Sequence, residues 1–186
     1  MVNMSPELAD ELLLEKFRTD ATKEAGFTGI IKKYQEKLYW HVRRMVVDHD
    51  DANDVLQNVF IKVWNGLSNF REDSRLYTWL YRIATNECLS FLEQKKKKSS
   101  VPFGDVEEGL SNSIIADKHF DASKLEWKLQ LAIQQLPEKQ RLVFTLRYYD
   151  ELPYNEMSQI LDTSDGALKA SYHHAVKKIE EFMLSH

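Results

Sequence analysis

Cysteine occurs once in this chain, at position 88, so no internal disulfide can form and packing must hold the fold together. Cys88 falls within an apolar run, where a small buried hydrophobe is expected. Only six glycines and four prolines are spread over 186 residues, which is poor in turn-formers and favours helices over sheets. No stretch approaches ~18 unbroken apolar residues. The N-terminus sets Asp10, Glu11 and Glu15 among its leucines instead of a basic patch followed by an apolar run. Neither secretion nor direct membrane insertion is therefore expected, and a reducing cytoplasm fits. A charge surplus is missing as well. Residues 1–98 carry 16 Lys/Arg against 15 Asp/Glu, residues 99–123 one against five, and residues 124–186 eight against nine. A freestanding DNA binder draws most of its affinity from a positive surface that displaces counterions, so any grip on DNA here needs outside help.

Catalytic signatures are lacking too. The chain has no phosphate-cradling glycine loop, no His-Glu-x-x-His and no Gly-x-Ser-x-Gly, and its carboxylates show no spacing that singles out an acid and a base. An enzyme is not expected, nor is a cofactor. Adjacent residues on a helix point about 100° apart, so His173-His174 make a poor chelating pair and no metal is expected.

What the chain does have is helical periodicity. Ser5-Pro6-Glu7 offers an N-cap and a first-turn proline ahead of Leu8, Leu12 and Leu13. Phe27, Ile30, Ile31, Tyr34, Leu38 and Val42 predict a second helix from about Phe27 to Met45. Asp51 can cap a third, whose apolar stripe runs from Val55 to Leu67. A fourth can start at Ser74, bury Leu76, Trp79, Leu80, Ile83, Ala84, Cys88 and Leu92, and end in Lys95 to Lys98, which suit the negative pole of a helix. Between Ser99 and about Asp121 periodicity fades among Pro102, Gly104, Gly109 and acidic residues, the pattern of a flexible acidic linker. Beyond it, Leu125 to Leu136 form one helix, stopped by Pro137, and Glu138 to Tyr148 another. The last segment reads as helix, tight turn, helix: Tyr154 to Leu161, a break at Asp162-Thr163-Ser164, then Asp165 to Phe182, with Ser164 as cap. The fold expected is all-α, with two small helical domains over 5–98 and 124–186 joined by the linker 99–123.

Three groups of residues can carry function, and each also has a plain structural reading. A helix fits the major groove of DNA, so the exposed side of the last helix, with Ser164, Lys169, Ser171, His173, His174 and Lys177, can meet bases and phosphates. A helical hairpin with a solvated polar face would look the same. Between Phe70 and Asn86, rings and cations interleave: Phe70, Arg71, Ser74, Arg75, Tyr81, Arg82 and Asn86 could hold unpaired bases, through stacking worth ~1–3 kcal/mol per base and an amide that reads a base edge. An ordinary helix around a buried Trp79 fits those residues too. Asp51, Asp54, Gln57 and Asn58 line the polar side of the third helix as a protein docking surface or as a capped, solvated face.

The motifs decide between these readings by resemblance. Asp51-Asp-Ala-Asn-Asp-Val-Leu-Gln-Asn-Val-Phe-Ile-Lys-Val-Trp64 is similar to the region two helix of bacterial sigma factors of the extracytoplasmic-function group, which docks on the clamp helices of RNA polymerase. Phe70 to Asn86 is similar to their promoter-melting segment. Leu136-Pro-Glu-Lys-Gln-Arg141 and Leu152-Pro-Tyr-Asn-Glu-Met-Ser-Gln-Ile-Leu161 resemble the opening of their region four. The resemblance covers nearly the whole chain, with its motifs in order. It implies a promoter-specificity subunit that binds core RNA polymerase and promoter DNA, both as duplex and as unpaired non-template strand, with an anti-sigma factor as a further candidate partner. By the same resemblance Asp54, Gln57 and Asn58 would bind polymerase, Phe70 and Asn86 would hold flipped bases, and the last helix would read the farther upstream element. The run Leu168-Lys169-Ala170-Ser171, followed by His174, departs from the Val-Lys-Ser-Arg and later Arg usual in the family, which removes two guanine-directed arginines. The alternatives are a freestanding helix-turn-helix regulator and a helical interaction module that never touches DNA.

Overall fold

In a computed structural model, residues 6–98 and 124–185 are described, and all regular structure among them is helical. Ser5 and the acidic stretch 99–123 lie outside the described residues. The N-terminal domain comprises α1 (Pro6–Arg18), a short 3-10 turn (Asp20–Thr22), α2 (Lys23–Val46), α3 (His49–Leu67) and α4 (Leu76–Lys98). The C-terminal domain comprises α5 (Lys124–Gln134), α6 (Glu138–Phe144), a π-helical turn (Thr145–Tyr149), α7 (Tyr154–Leu161) and α8 (Asp165–Ser185).

Apolar spacing of three and four residues puts Ile30, Tyr34, Leu38 and Val42 of α2 on one inward line. Val55, Val59 and Val63 of α3 and Leu80, Ala84 and Cys88 of α4 close on that line to make the core. Helix α1 lies against α2, tied by Asp10, whose carboxylate accepts from Lys33 Nζ at 2.6 Å and from the Tyr34 hydroxyl at 2.7 Å. The approach is close: a Cβ at Gly26 would stand 2.5 Å from the Phe17 amide nitrogen and 2.8 Å from the Leu13 carbonyl.

Two expectations are corrected. The cap of α3 is Asp48 and not Asp51, because Asp48 has extended backbone and its Oδ1 accepts from the amides of Asp50 (2.9 Å) and Asp51 (3.0 Å). Those bonds hold the Asp48 carboxylate below its usual range, the Asp51 amide contributing most. The stretch 138–148 is not one uniform helix: α6 stops at Phe144 and the backbone widens into a π turn. That turn stacks Tyr148 on Phe144 at 5.1 Å between centroids, while Tyr172 of α8 lies on Phe144 at 5.8 Å.

Helices α7 and α8 form the expected helix-turn-helix. Asp162 takes the left-handed conformation (φ 49°, ψ 47°), and the Ser164 hydroxyl accepts from the Ala167 amide at 3.4 Å. Leu168, Met157 and Ile160 are buried between the two helices and the rest of the domain. The two domains also share one buried seam. Leu142, Leu146, Leu152 and Met157 belong to the same apolar cluster as Leu80, Tyr81 and Ala84, and α7 packs on α4.

Candidate nucleic-acid and protein interfaces

On α3 the inward line of valines leaves Asp54, Gln57 and Asn58 exposed along one outer strip. Spacing adds a member that the polar pattern hid. Ile61, three residues beyond Asn58 and four beyond Gln57, is 52% exposed. Its signal in the sequence was an isoleucine off the buried stripe. Asp51 is set apart from the others: its carboxylate is half-buried and pairs with Lys95 Nζ at 2.5 Å, tying α3 to the lysine-rich end of α4.

The segment 70–86 divides. Arg71, Arg82 and Asn86 are exposed, and Ser74 is half-buried. Phe70 and Tyr81, expected as open stacking surfaces, are buried, at 8% and 4% exposure. Phe70 lies on Trp79, with ring centroids 5.1 Å apart. Tyr81 packs beside His41 (5.0 Å) beneath the C-terminal domain, and burial followed by the nearby Asp150 charge raises its hydroxyl pKa. Arg75 reaches across to that domain, its Nη1 3.3 Å from Glu156 Oε1. Burial lifts the Glu156 carboxyl above its usual range, with Arg75 opposing. Asn86 stands on the rim of a cleft of about 440 Å³ between α4 and α6, shared with Leu89, Lys96, Glu138 and Leu142. Cys88, fully buried beside it, has its thiol pushed up to about 12 by that burial.

Ser164, just ahead of α8, and Lys169, His173, His174 and Lys177 on it are exposed, while Ser171 is half-buried; at 100° per residue Lys169, His173 and Lys177 share one side of the helix and Ser171 lies on the other. Lys169 Nζ sits 5.6 Å above the Tyr154 ring, which restrains its stem, and Lys177 Nζ lies 3.9 Å from Glu181. Among the described residues there is no cluster of three His, Cys, Asp or Glu side chains fit to hold a metal, and no helix long and apolar enough to cross a membrane.

Both domains are matched by known proteins. Residues 30–98 match the family described as Sigma-70 region 2 and residues 126–179 that described as Sigma-70, region 4. The RNA polymerase sigma-H factor of Pseudomonas aeruginosa is 32% identical, over 92% of this chain and 92% of its own. The chain belongs to the sigma-70 family, in its extracytoplasmic-function group. As a sigma factor it is a promoter-specificity subunit of RNA polymerase, and sigma factors are non-catalytic initiation factors. The sigma-E factor of Escherichia coli is likewise 32% identical, over 95% of both chains. Two solved structures share the fold. CnrH in complex with the cytosolic domain of CnrY has a TM-score of 0.68 at 18% identity, covering 94% of this chain and 97% of that one. RpoE in complex with the anti-sigma factor NepR, from Bartonella quintana, has a TM-score of 0.66 at 20% identity, covering 86% and 97%. With both sigma regions matched, a freestanding regulator is not favoured.

Proposed function

We propose that this sigma factor divides its work by domain. Residues 5–98 dock on core RNA polymerase and open the promoter, residues 124–186 read the farther upstream element as duplex, and residues 99–123 connect them. The outer strip of α3 carries the docking reading. Asp54, Gln57, Asn58 and Ile61 project together, and an exposed isoleucine among polar neighbours is the composition of a protein contact whose centre is apolar and whose rim is polar. Arg71, Ser74, Arg75, Arg82 and Asn86 take the unpaired non-template strand, the cations following phosphates and the Asn86 amide reading a base edge. Phe70 and Tyr81 support that face from beneath, and Tyr81 becomes a stacking surface once the C-terminal domain moves away. Ser164, Lys169, Ser171, His173, His174 and Lys177 contact the duplex. The chain has no catalysis of its own, acts in the cytoplasm, and is restrained by an anti-sigma factor, as CnrH and RpoE are each seen with a bound partner.

The test is reconstitution with core polymerase. Ile61→Asp places a charge at the centre of the docking strip, exposed in the free chain and therefore harmless to its fold. Its polymerase affinity is expected to fall by roughly 30-fold or more, the worth of one buried apolar anchor. Undiminished co-purification of Ile61→Asp with polymerase overturns the docking assignment.

A further inference from the structure

The chain as a whole carries 25 Lys/Arg against 29 Asp/Glu, yet α2 alone holds six cations against two glutamates. Those cations gather on one side. At 100° per residue Lys33, Lys37, Arg43 and Arg44 stand within about 60° of Trp40, and Glu36 is the one carboxylate of α2 among them. Trp40 itself is turned about 160° from Leu38, opposite the buried line of the helix. Its side chain is 43% exposed, Lys37 is exposed, and Lys33, Arg43 and Arg44 are half-buried.

An indole on the polar face of a helix takes no part in the core, yet this one is braced. Tyr39 meets it edge-on, with ring centroids 5.3 Å apart at 72°. The Tyr39 hydroxyl is bonded to His49 Nδ1 at 2.7 Å, and His49 Nε2 to the Asn53 side-chain amide at 3.1 Å. The start of α3 therefore fixes the ring from one side and leaves much of it open to solvent. Two of the cations are fixed as well: Lys33 Nζ lies 2.6 Å from Asp10, and the Arg44 guanidinium sits 4.4 Å from the centre of the Tyr149 ring. Trp40 is exposed with both domains packed together, so no domain movement is needed to reach it.

We infer that Trp40 is a second seat for the unpaired non-template strand, one base stacking on its indole while Lys37 and Arg43 take the flanking phosphates. A held ring within a stripe of one charge is complementary to a polyanion that offers π faces. Duplex DNA keeps its base faces stacked inside, so only an unpaired strand presents one. Of the two strands of an opened promoter, the template bases are committed to pairing with incoming nucleotides, and the non-template bases are left without partners. From Lys33 to Arg44 the stripe covers about 16 Å of helix, room for more than one phosphate. The seat lies on a different helix from Arg82 and Asn86; it rests on promoter opening by the sigma subunit and not on the assignment of those residues.

Photo-crosslinking in holoenzyme reconstituted from core polymerase and the full chain tests the seat. 5-Iododeoxyuridine is placed at one non-template position at a time across the opened region, and the adduct formed on irradiation of the open complex is mapped by mass spectrometry. At least one position is expected to attach to Trp40. Trp40→Ala, a change on an exposed side chain, is expected to shorten the half-life of the open complex roughly tenfold, the worth of one stacked base. Trp40→Phe keeps a ring and should recover most of that loss. Lys37→Glu should shorten the half-life too and lower the salt dependence by about one phosphate contact; it carries the test if melting of Trp40→Ala shows a disturbed fold. No adduct at Trp40 from any non-template position, or variants whose open complexes last as long as the wild type, overturns the seat and leaves the α4 reading standing. Weakened polymerase association in place of a shortened open complex marks the face as a protein contact and overturns it as well.

Discussion

At the scale of single residues, Asn86 and Asp48 show how far side-chain chemistry can be traced to an effect. Asn86 is exposed and lines a cleft, where the proposed role has its amide meet a base edge. Asn86→Ala is expected to lower promoter opening, read as permanganate reactivity of the melted strand, by roughly tenfold, within the ~1–3 kcal/mol of a good amide–base contact. Polymerase association should be unchanged, and equal loss of both would refute the role. Asp48 acts on the fold instead. Its cap bonds are worth ~1 kcal/mol, and Asp48→Ala should lose about that much in urea unfolding at neutral pH. The bonds hold its pKa below the ordinary aspartate range in the folded state, so this stability is present above that range and fades as pH falls through the lowered value. The gap between wild type and variant should therefore close in acid.

Elements depend on how closely their backbones approach, and α1 against α2 is the tightest case. A methyl at Gly26 would strike backbone atoms of Phe17 and Leu13, which cannot swing aside as a side-chain tip can. Gly26→Ala gains ~0.5–1 kcal/mol of helix propensity but forces the two helices apart, an overpacking cost of ~1–3 kcal/mol or more. The net expectation is a less stable domain with a lower melting temperature in calorimetry, and a rise would show that α1 is not seated as described. Helices were readable in the sequence because each apolar line is local: Val55, Val59 and Val63 announce their shared face within nine residues. Ends were less readable. Asp48, Asp50 and Asp51 are equivalent cap candidates by type, and only the extended backbone at Asp48 selects among them. The π turn at 145–149 likewise has no signal in an apolar run that suits a plain helix, and ring stacking of Phe144, Tyr148 and Tyr172 accompanies it.

For the whole molecule, the balance of charge matters more than any one contact. With 25 Lys/Arg against 29 Asp/Glu, the free chain lacks the counterion-releasing surface that holds a solitary DNA binder on duplex. Free protein is expected to bind promoter duplex weakly at physiological salt, and core polymerase to convert this to tight, sequence-selective binding in a gel shift. Tight selective binding by the chain alone would contradict the assignment of grip to the polymerase. Sequence by itself determined the helices, the helix-turn-helix and the membership in the sigma-70 family, since each is written in residues a few positions apart. Tertiary structure alone decided that Tyr81 is covered, that Arg75 faces Glu156, and that His41 finds Asp150. Those last partners stand 109 residues apart, with the stretch 99–123 between them, and no periodicity reaches that far. Local spacing specifies which face of a helix is apolar; which other element covers that face depends on the free energy of the assembled chain.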